Sequence, residues 1–373
     1  MTPKLIAFYF PQFHAIKEND EWWGKGFTDW DLVKKAKSLY AGHVQPRVPS
    51  DGVYYNPCEY ETLRKQINLA KEYGVSGFML YHYWFDGKLL LEKPLETYLN
   101  NKDLDMPFCI CWANESWGRG WVGHPEELLM EQTHTPDKNI WSRHYEYLRP
   151  FFMDERAIKI DGKVVVVIYQ PMLINKAKEM FDFWRDKAKE DGIELYIIGI
   201  KNHNKNSKDT YIPYDGILKF QPREAYTSPE MSEENWLNRF DFLRHMPEFV
   251  LNRLRKLYMK VNSYSVYNSE KVWNIILKYA YKKEFDRDDL DVFESGFFEW
   301  DNSSRYGRSA RIFTRPSDEK LVDYMTALKN KAEEASSPYV FFNAWNEWSE
   351  SAYLEPDKEY GYRSLEIIKK VFK

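Results

Sequence analysis

Short apolar runs recur along the whole chain, with segments of helical period between most of them. Eight runs rich in Val, Ile, Phe and Tyr, bounded by Gly, Pro, Asn or Asp, read as strands. They are Lys4–Phe10, Val75–Tyr81, Pro107–Trp112, Val164–Tyr169, Leu195–Ile200, Ile217–Phe220, Gly296–Trp300 and Tyr339–Trp345. Val164-Val165-Val166-Val167-Ile168 is apolar at every position, the pattern of a parallel strand covered on both faces. Between strands, Glu59–Tyr73 places Leu63, Ile67 and Ala70 on one helical face and stops at Gly74. Ile174–Asp191 and Glu319–Glu334 have the same character. Eight such repeats predict an α/β protein, a (β/α)8 TIM barrel forming one domain over residues 1–373.

Two segments exceed the minimal barrel. Pro11–Pro57, after strand one, is a long loop carrying Trp22, Trp23 and Trp30; Pro222–Phe293, between strands six and seven, reads as a helical insertion. Barrel enzymes build their sites at the carboxyl ends of the strands, so both segments are expected to wall a site there. An open doubly wound sheet is disfavoured. Phe10-Pro11-Gln12-Phe13-His14 follows strand one where a glycine-rich nucleotide turn would stand, and there is no Gly-Lys-Ser/Thr phosphate loop.

Composition then sharpens the picture. Trp 14, Tyr 27 and Phe 23 make the chain 17% aromatic, and many of the Trp fall just after predicted strands. A formal charge of −4 provides no excess of cations for a phosphate backbone, so nucleic acid is not an expected partner. Cys58, Cys109 and Cys111 lack the spacing of a zinc site or a disulfide framework and read as buried thiols. No His pair has ligand spacing, so a metal-free site without a cofactor is expected. The first apolar stretch, Leu5–Phe10, gives way at once to Pro11 and polar residues, and no run reaches the ~18 residues of a membrane span, so the expected location is the cytoplasm.

The strand ends carry the chemistry. After strand eight comes Asn343-Ala344-Trp345-Asn346-Glu347-Trp348-Ser349-Glu350, with Glu355 beyond it. Two carboxylates interleaved with indoles match glycosidic cleavage, which needs one group to protonate the leaving oxygen and another to act as nucleophile or base. Each carboxylate also disfavours ionisation of the other. Tyr9, Gln12 and His14 end strand one. His82, Tyr83 and Trp84 follow strand two, and Trp112, Asn114, Glu115 and Trp117 follow strand three. Asp301, Asn302 and Arg305 follow strand seven. Flat rings beside amides, carboxylates and imidazoles suit a pyranose, with its apolar face and hydroxyl rim. We therefore expect these residues, with Trp22, Trp23, Trp30, Trp345, Asn346, Trp348 and Glu355, to bind a polysaccharide or oligosaccharide.

Long motifs at these ends resemble the WbsX family of bacterial polysaccharide-locus proteins. They are Ala7–His14, Glu18–Trp30, Tyr81-His82-Tyr83-Trp84-Phe85, Cys111–Glu115, Trp300-Asp301-Asn302 and Trp345-Asn346-Glu347-Trp348. The resemblance implies a barrel similar to glycoside hydrolase family 99, the endo-α-mannosidases and mannanases, although the family is usually labelled glycosyltransferase or lipopolysaccharide biosynthesis. In family 99 the acids lie in a Glu-Trp-x-Glu motif, here Glu347-Trp348-Ser349-Glu350. The resemblance implies that Glu347 is a base on the substrate 2-hydroxyl and Glu350 the acid, with retention through an epoxide-like intermediate. It does not carry over the mannose specificity.

A metal-independent retaining glycosidase or transglycosidase is thus the expected activity. Its rivals are a glycosyltransferase of O-antigen or capsular polysaccharide assembly and a non-catalytic carbohydrate-binding barrel. No Asp-x-Asp motif stands at a strand end, which disfavours the first; retention of both acids disfavours the second. Residues 239–260 carry Arg239, Arg244, Arg253, Arg255, Lys256 and Lys260 against Asp241 and Glu248, with Val250, Leu254 and Leu257 at helical spacing. An amphipathic helix on the barrel accounts for this, and weak peripheral contact with an anionic membrane surface is the alternative.

Overall fold

In the computed structural model, which describes residues 2–119, 124–203, 207–234, 250 and 264–373, eight parallel strands close into a barrel. They are β1 Lys4–Tyr9, β2 Val75–Phe85, β3 Phe108–Trp112, β4 Lys163–Ile168, β5 Leu195–Lys201, β6 Gly216–Lys219, β7 Asp291–Gly296 and β8 Tyr339–Phe342. Each pairs with its neighbour in sequence. The ring closes where β8 meets β1, in register from Lys4↔Tyr339 to Ala7↔Phe342.

Strand alternation sorts the side chains into two cores. Ile6, Phe8, Met79, Tyr81, Cys109, Cys111, Val165 and Val167 belong to a cluster without any residue of the outer helices, the packed barrel interior. Leu5, Ala7, Leu80, Ile110 and Val166 point the other way and meet the apolar helix faces. Helix Tyr60–Glu72 buries Leu63, Ile67 and Ala70 there, and Gly74 turns the chain back to β2 at φ +89°. Cys58, unlike the two strand thiols, is only half-buried.

The interior leaves no room at Gly77 on β2. A Cβ there would lie 2.8 Å from Ile6 Cδ1 and 2.9 Å from the Pro107 carbonyl oxygen. Backbone cannot yield as a flexible side chain would. Gly77→Ala is therefore expected to cost about 1–3 kcal/mol in urea unfolding, as overpacked cores do, with the denaturant slope unchanged.

Three strand expectations need correction. Strand seven is not Gly296–Trp300 but Asp291–Gly296. Its sequence reads as polar because Glu294, buried on the helix-facing side, pairs with Lys219 of β6 at 2.9 Å. Phe297 and Phe298 instead join the outer core, and Trp300–Asp301 enters a small sheet with Arg311–Phe313 and Ser265–Tyr267. Strand eight leaves the barrel sheet at Phe342 rather than Trp345, and β2 runs on to Phe85, folding back as a hairpin with Lys88–Leu90. The loop after β1 contains helices Lys17–Trp23 and Asp29–Lys35. Between β6 and β7 stand helices Arg223–Tyr226, Pro229–Glu234 and Ser269–Tyr279. The basic stretch 239–260 lies, apart from Val250, outside the described residues.

Candidate active site

A cleft of about 520 Å3 opens over the carboxyl ends of the strands, and Glu347 and Glu350 both line it. Local pairing puts them there. Asn346–Glu347 pairs antiparallel with Ala352–Tyr353, and the 3-10 turn Trp348–Glu350 joins the two pieces. The Asn346 side chain pins this hairpin to the end of β1. It accepts from the Phe10 backbone N–H at 2.8 Å and donates to the Phe10 carbonyl at 3.0 Å. Trp348 is buried against Trp30 and stacks on Tyr353, which holds the turn in place.

Arg305 organises the charges. Its guanidinium reaches Asp29 at 2.9 Å, Glu347 at 3.3 Å and Glu350 at 3.1 Å. Glu347 also accepts from Gln12 at 2.9 Å and from Ser349 at 2.5 Å, while Glu350 accepts from the Trp300 indole at 2.7 Å. Burial, with help from the neighbouring carboxylates Glu350 and Asp29, pushes Glu347 up to about 7 against the pull of Arg305. Across the cleft, burial also raises Glu115, whose carboxylate accepts from Gln170 at 3.1 Å. Among the described residues no group of three His, Cys, Asp or Glu side chains is arranged to hold a metal ion.

The family model described as "Glycosyltransferase WbsX" matches residues 5–368. The chain belongs to the WbsX family. A curated relative, the "Uncharacterized protein WxcX" of Xanthomonas campestris pv. campestris strain B100, is 30% identical over 370 residues, covering 98% of this chain and 49% of the relative. The chain thus spans about half the length of the curated relatives it matches. Among solved structures, a "glycoside hydrolase-like protein" superposes with a TM-score of 0.60 at 16% identity, covering 100% of this chain and 94% of that one. The family 99 endo-α-mannosidase of Bacteroides thetaiotaomicron gives 0.52 at 12% identity, covering 99% and 95%. At these identities the likeness is one of fold.

In this WbsX barrel, strand parity decides which of the residues named from sequence reach the cleft. Gln12, Tyr83, Glu115, Asn302 and Arg305 line it with the acid pair, as do Trp22, Trp23 and Trp117. His82, Trp84, Trp112 and Asn114 occupy the opposite parity on β2 and β3 and lie outside the lining. His82 meets His144 at 2.9 Å on the helix side, Trp84 stacks on the same His144, and Trp112 donates to the Trp84 carbonyl. Asn114 bonds the backbone of Gln170. Tyr9 likewise turns outward to Gln66 at 2.9 Å, and His14 caps the Pro11 carbonyl. Trp30, Trp345, Asn346 and Trp348 are buried under the floor. Asp29, Tyr81, Tyr169, Arg223 and Arg311 line the cleft without having been named as binding residues, although Asp29 and Tyr81 lie within the family motifs. Parity would have found Tyr81, two residues before Tyr83; the others needed the three-dimensional fold.

Two further carboxylates support the site from below. Asp301 accepts from His43 at 2.8 Å and Gln45 at 2.7 Å, tying the loop after β1 to the loop after β7. Glu355 accepts from Tyr55 at 2.7 Å, Gln66 at 2.7 Å and the Trp348 indole at 2.6 Å, and burial raises it to about 7. Truncating it would strand three donors beneath the Glu347 turn. Glu355→Ala is expected to lose about 3 kcal/mol or more in chemical denaturation, because each orphaned buried donor costs roughly 1–3 kcal/mol. Glu355→Gln should lose less.

Proposed function

We propose that this chain cleaves or transfers glycosidic bonds of a bacterial or other complex polysaccharide with retention, using Glu347 as base and Glu350 as acid. The observation that carries the reading is the placement of both carboxylates on one turn, in one cleft, bridged by one guanidinium. An ordinary retaining pair flanks the anomeric carbon, its carboxyls ~5–5.5 Å apart on opposite sides. Two acids rising from one turn are better placed to act on neighbouring oxygens of the same sugar. Glu347 takes the 2-hydroxyl proton as that oxygen attacks the anomeric carbon. Glu350 gives its proton to the leaving oxygen, so the glycosidic bond breaks as a 1,2-anhydro ring forms. Water, or an acceptor hydroxyl in the transferase mode, then opens the ring, giving its proton to Glu350 while Glu347 returns the proton to O2.

A base near pH 7 is well matched to neutral conditions, where it is substantially ionised yet still basic. Trp22, Trp23 and Trp117 give the cleft flat apolar surface for pyranose faces, and Gln12, Tyr83, Asn302 and Glu115 provide polar groups for hydroxyls. The family's description favours a second reading, a nucleotide-sugar transferase of polysaccharide assembly. One experiment separates the two. Mannans, rhamnans and O-antigen fragments are incubated with the protein, with and without nucleotide sugars, and new reducing ends and elongated chains are measured. Reducing ends or rearranged chains without nucleotide support the glycosidase reading; products that require a nucleotide sugar refute it.

A further inference from the structure

Arg223 and Arg311 are cations of the cleft that the acid pair does not use. Both line it, and both are exposed on its solvent side. Elsewhere in the described residues the guanidiniums that brace the fold touch carboxylates: Arg47 meets Glu299 and Asp357, Arg156 meets Asp154, and Arg305 meets three acids. Among the same residues, neither Arg223 nor Arg311 has a carboxylate within 4.0 Å. Among the described residues the side chain of Arg223 donates to the Tyr169 hydroxyl at 3.5 Å, and Arg311 lies over the Tyr226 ring at 5.5 Å.

Topology places the two together. Arg223 and Tyr226 share the short helix that follows β6, and Arg311 belongs to the small sheet that follows β7. The Tyr226 hydroxyl meets that of Tyr267, on the strand beside Arg311–Phe313, so helix and sheet form one wall. In barrel order this wall lies on the β7 side of the β8 acids. The indoles Trp22, Trp23 and Trp117 come from the loops after β1 and β3, on the other side. Rings line both ends, Tyr226, Trp300 and Phe313 among them at the β6–β7 end, but the cations of the lining gather at that end alone, with Glu347 and Glu350 between it and the Trp22, Trp23 and Trp117 end.

We infer that the polysaccharide this cleft takes is anionic, and that Arg223 and Arg311 bind a carboxylate or phosphate on the sugar at the β6–β7 end. This deepens the glycosidase reading and rests on it only for the identity of the cleft. A rival account is that Arg223 exists to offset Glu115 and Glu350, whose fields it feels. That account leaves Arg311 unexplained and would make substrate charge irrelevant. A guanidinium forks onto carboxylate or phosphate with two parallel bonds, roughly twice as strong as neutral ones, so charge on the sugar should matter strongly.

The test uses the full chain on an array of bacterial polysaccharides, each uronate-bearing sample beside its carboxyl-reduced form and each phosphate-bearing sample beside its dephosphorylated form. Binding and reducing-end release are read separately. At least one acidic sample should bind about tenfold or more tighter than its neutralised partner, and the pair in which this occurs identifies carboxylate or phosphate. Arg223→Gln and Arg311→Gln, on different elements, should each lower binding of that sample while leaving its neutralised form unaffected. No preference for any acidic sample overturns the inference, as does equal loss on both forms in both variants. Preference without cleavage would uphold the inference and refute the glycosidase; cleavage of neutral and acidic forms alike would do the reverse.

Discussion

Glu350→Gln and Glu347→Gln are each expected to lower turnover of a natural polysaccharide by about 10²–10⁴-fold, the usual worth of a positioned general acid or base. Binding should remain measurable, because glutamine keeps the shape of the side chain and one acceptor oxygen. The two variants should differ on an activated substrate. An aryl glycoside with a good leaving group needs no proton from Glu350, so Glu350→Gln should recover much of the bond-breaking step. Glu347→Gln should not, since the 2-hydroxyl still has to be deprotonated before it can attack. The double variant should lose little more than the worse single one, as residues acting in one step do. Steady-state kinetics on paired natural and aryl substrates measures all three, and equal turnover in wild type and variants would remove both residues from the chemistry.

The second large effect is on pH. Glu347 must be ionised to act as a base, and burial holds it at about 7. Below that value its ionised fraction falls tenfold per pH unit, so kcat/KM should rise with pH through about 7 and then level or turn over. The cluster around it sets the sign of the shifts. Arg305 lowers Glu347, so Arg305→Gln should move the acid limb to higher pH. Asp29 raises it, so Asp29→Asn should move the limb to lower pH. Opposite displacements from Arg305 and Asp29, which pair with each other at 2.9 Å, are hard to produce by general damage to the fold. Identical limbs in both variants would mean that another group governs the profile.

The barrel was legible from periodicity because parallel strands covered on both faces are apolar at nearly every position, as in β4. The strand that was misplaced is the one whose hydrophobicity a buried ion pair conceals, Glu294 with Lys219, while the aromatic Phe297-Phe298 beside it imitates a strand and packs outside the ring. At the site, the acid pair and the Trp of the loop after β1 could be named from composition at a strand end. Which of the neighbouring aromatics face the cleft could not, since one residue of register exchanges His82 and Trp84 for Tyr81 and Tyr83. The roles of Asp29, Arg223 and Arg311 were invisible for a different reason. Their importance comes from Arg305, Tyr169 and Tyr226, which sequence separates from them and only the closed barrel brings near.

The central claim is that Glu347 and Glu350 together break a glycosidic bond by way of the sugar's own 2-hydroxyl. The anomeric configuration of the first product, followed by proton NMR before mutarotation, tests it most directly. The account predicts a product of retained configuration, formed without any nucleotide sugar and lost when the 2-hydroxyl is replaced by hydrogen. An inverted product, or normal cleavage of the 2-deoxy substrate, would contradict it.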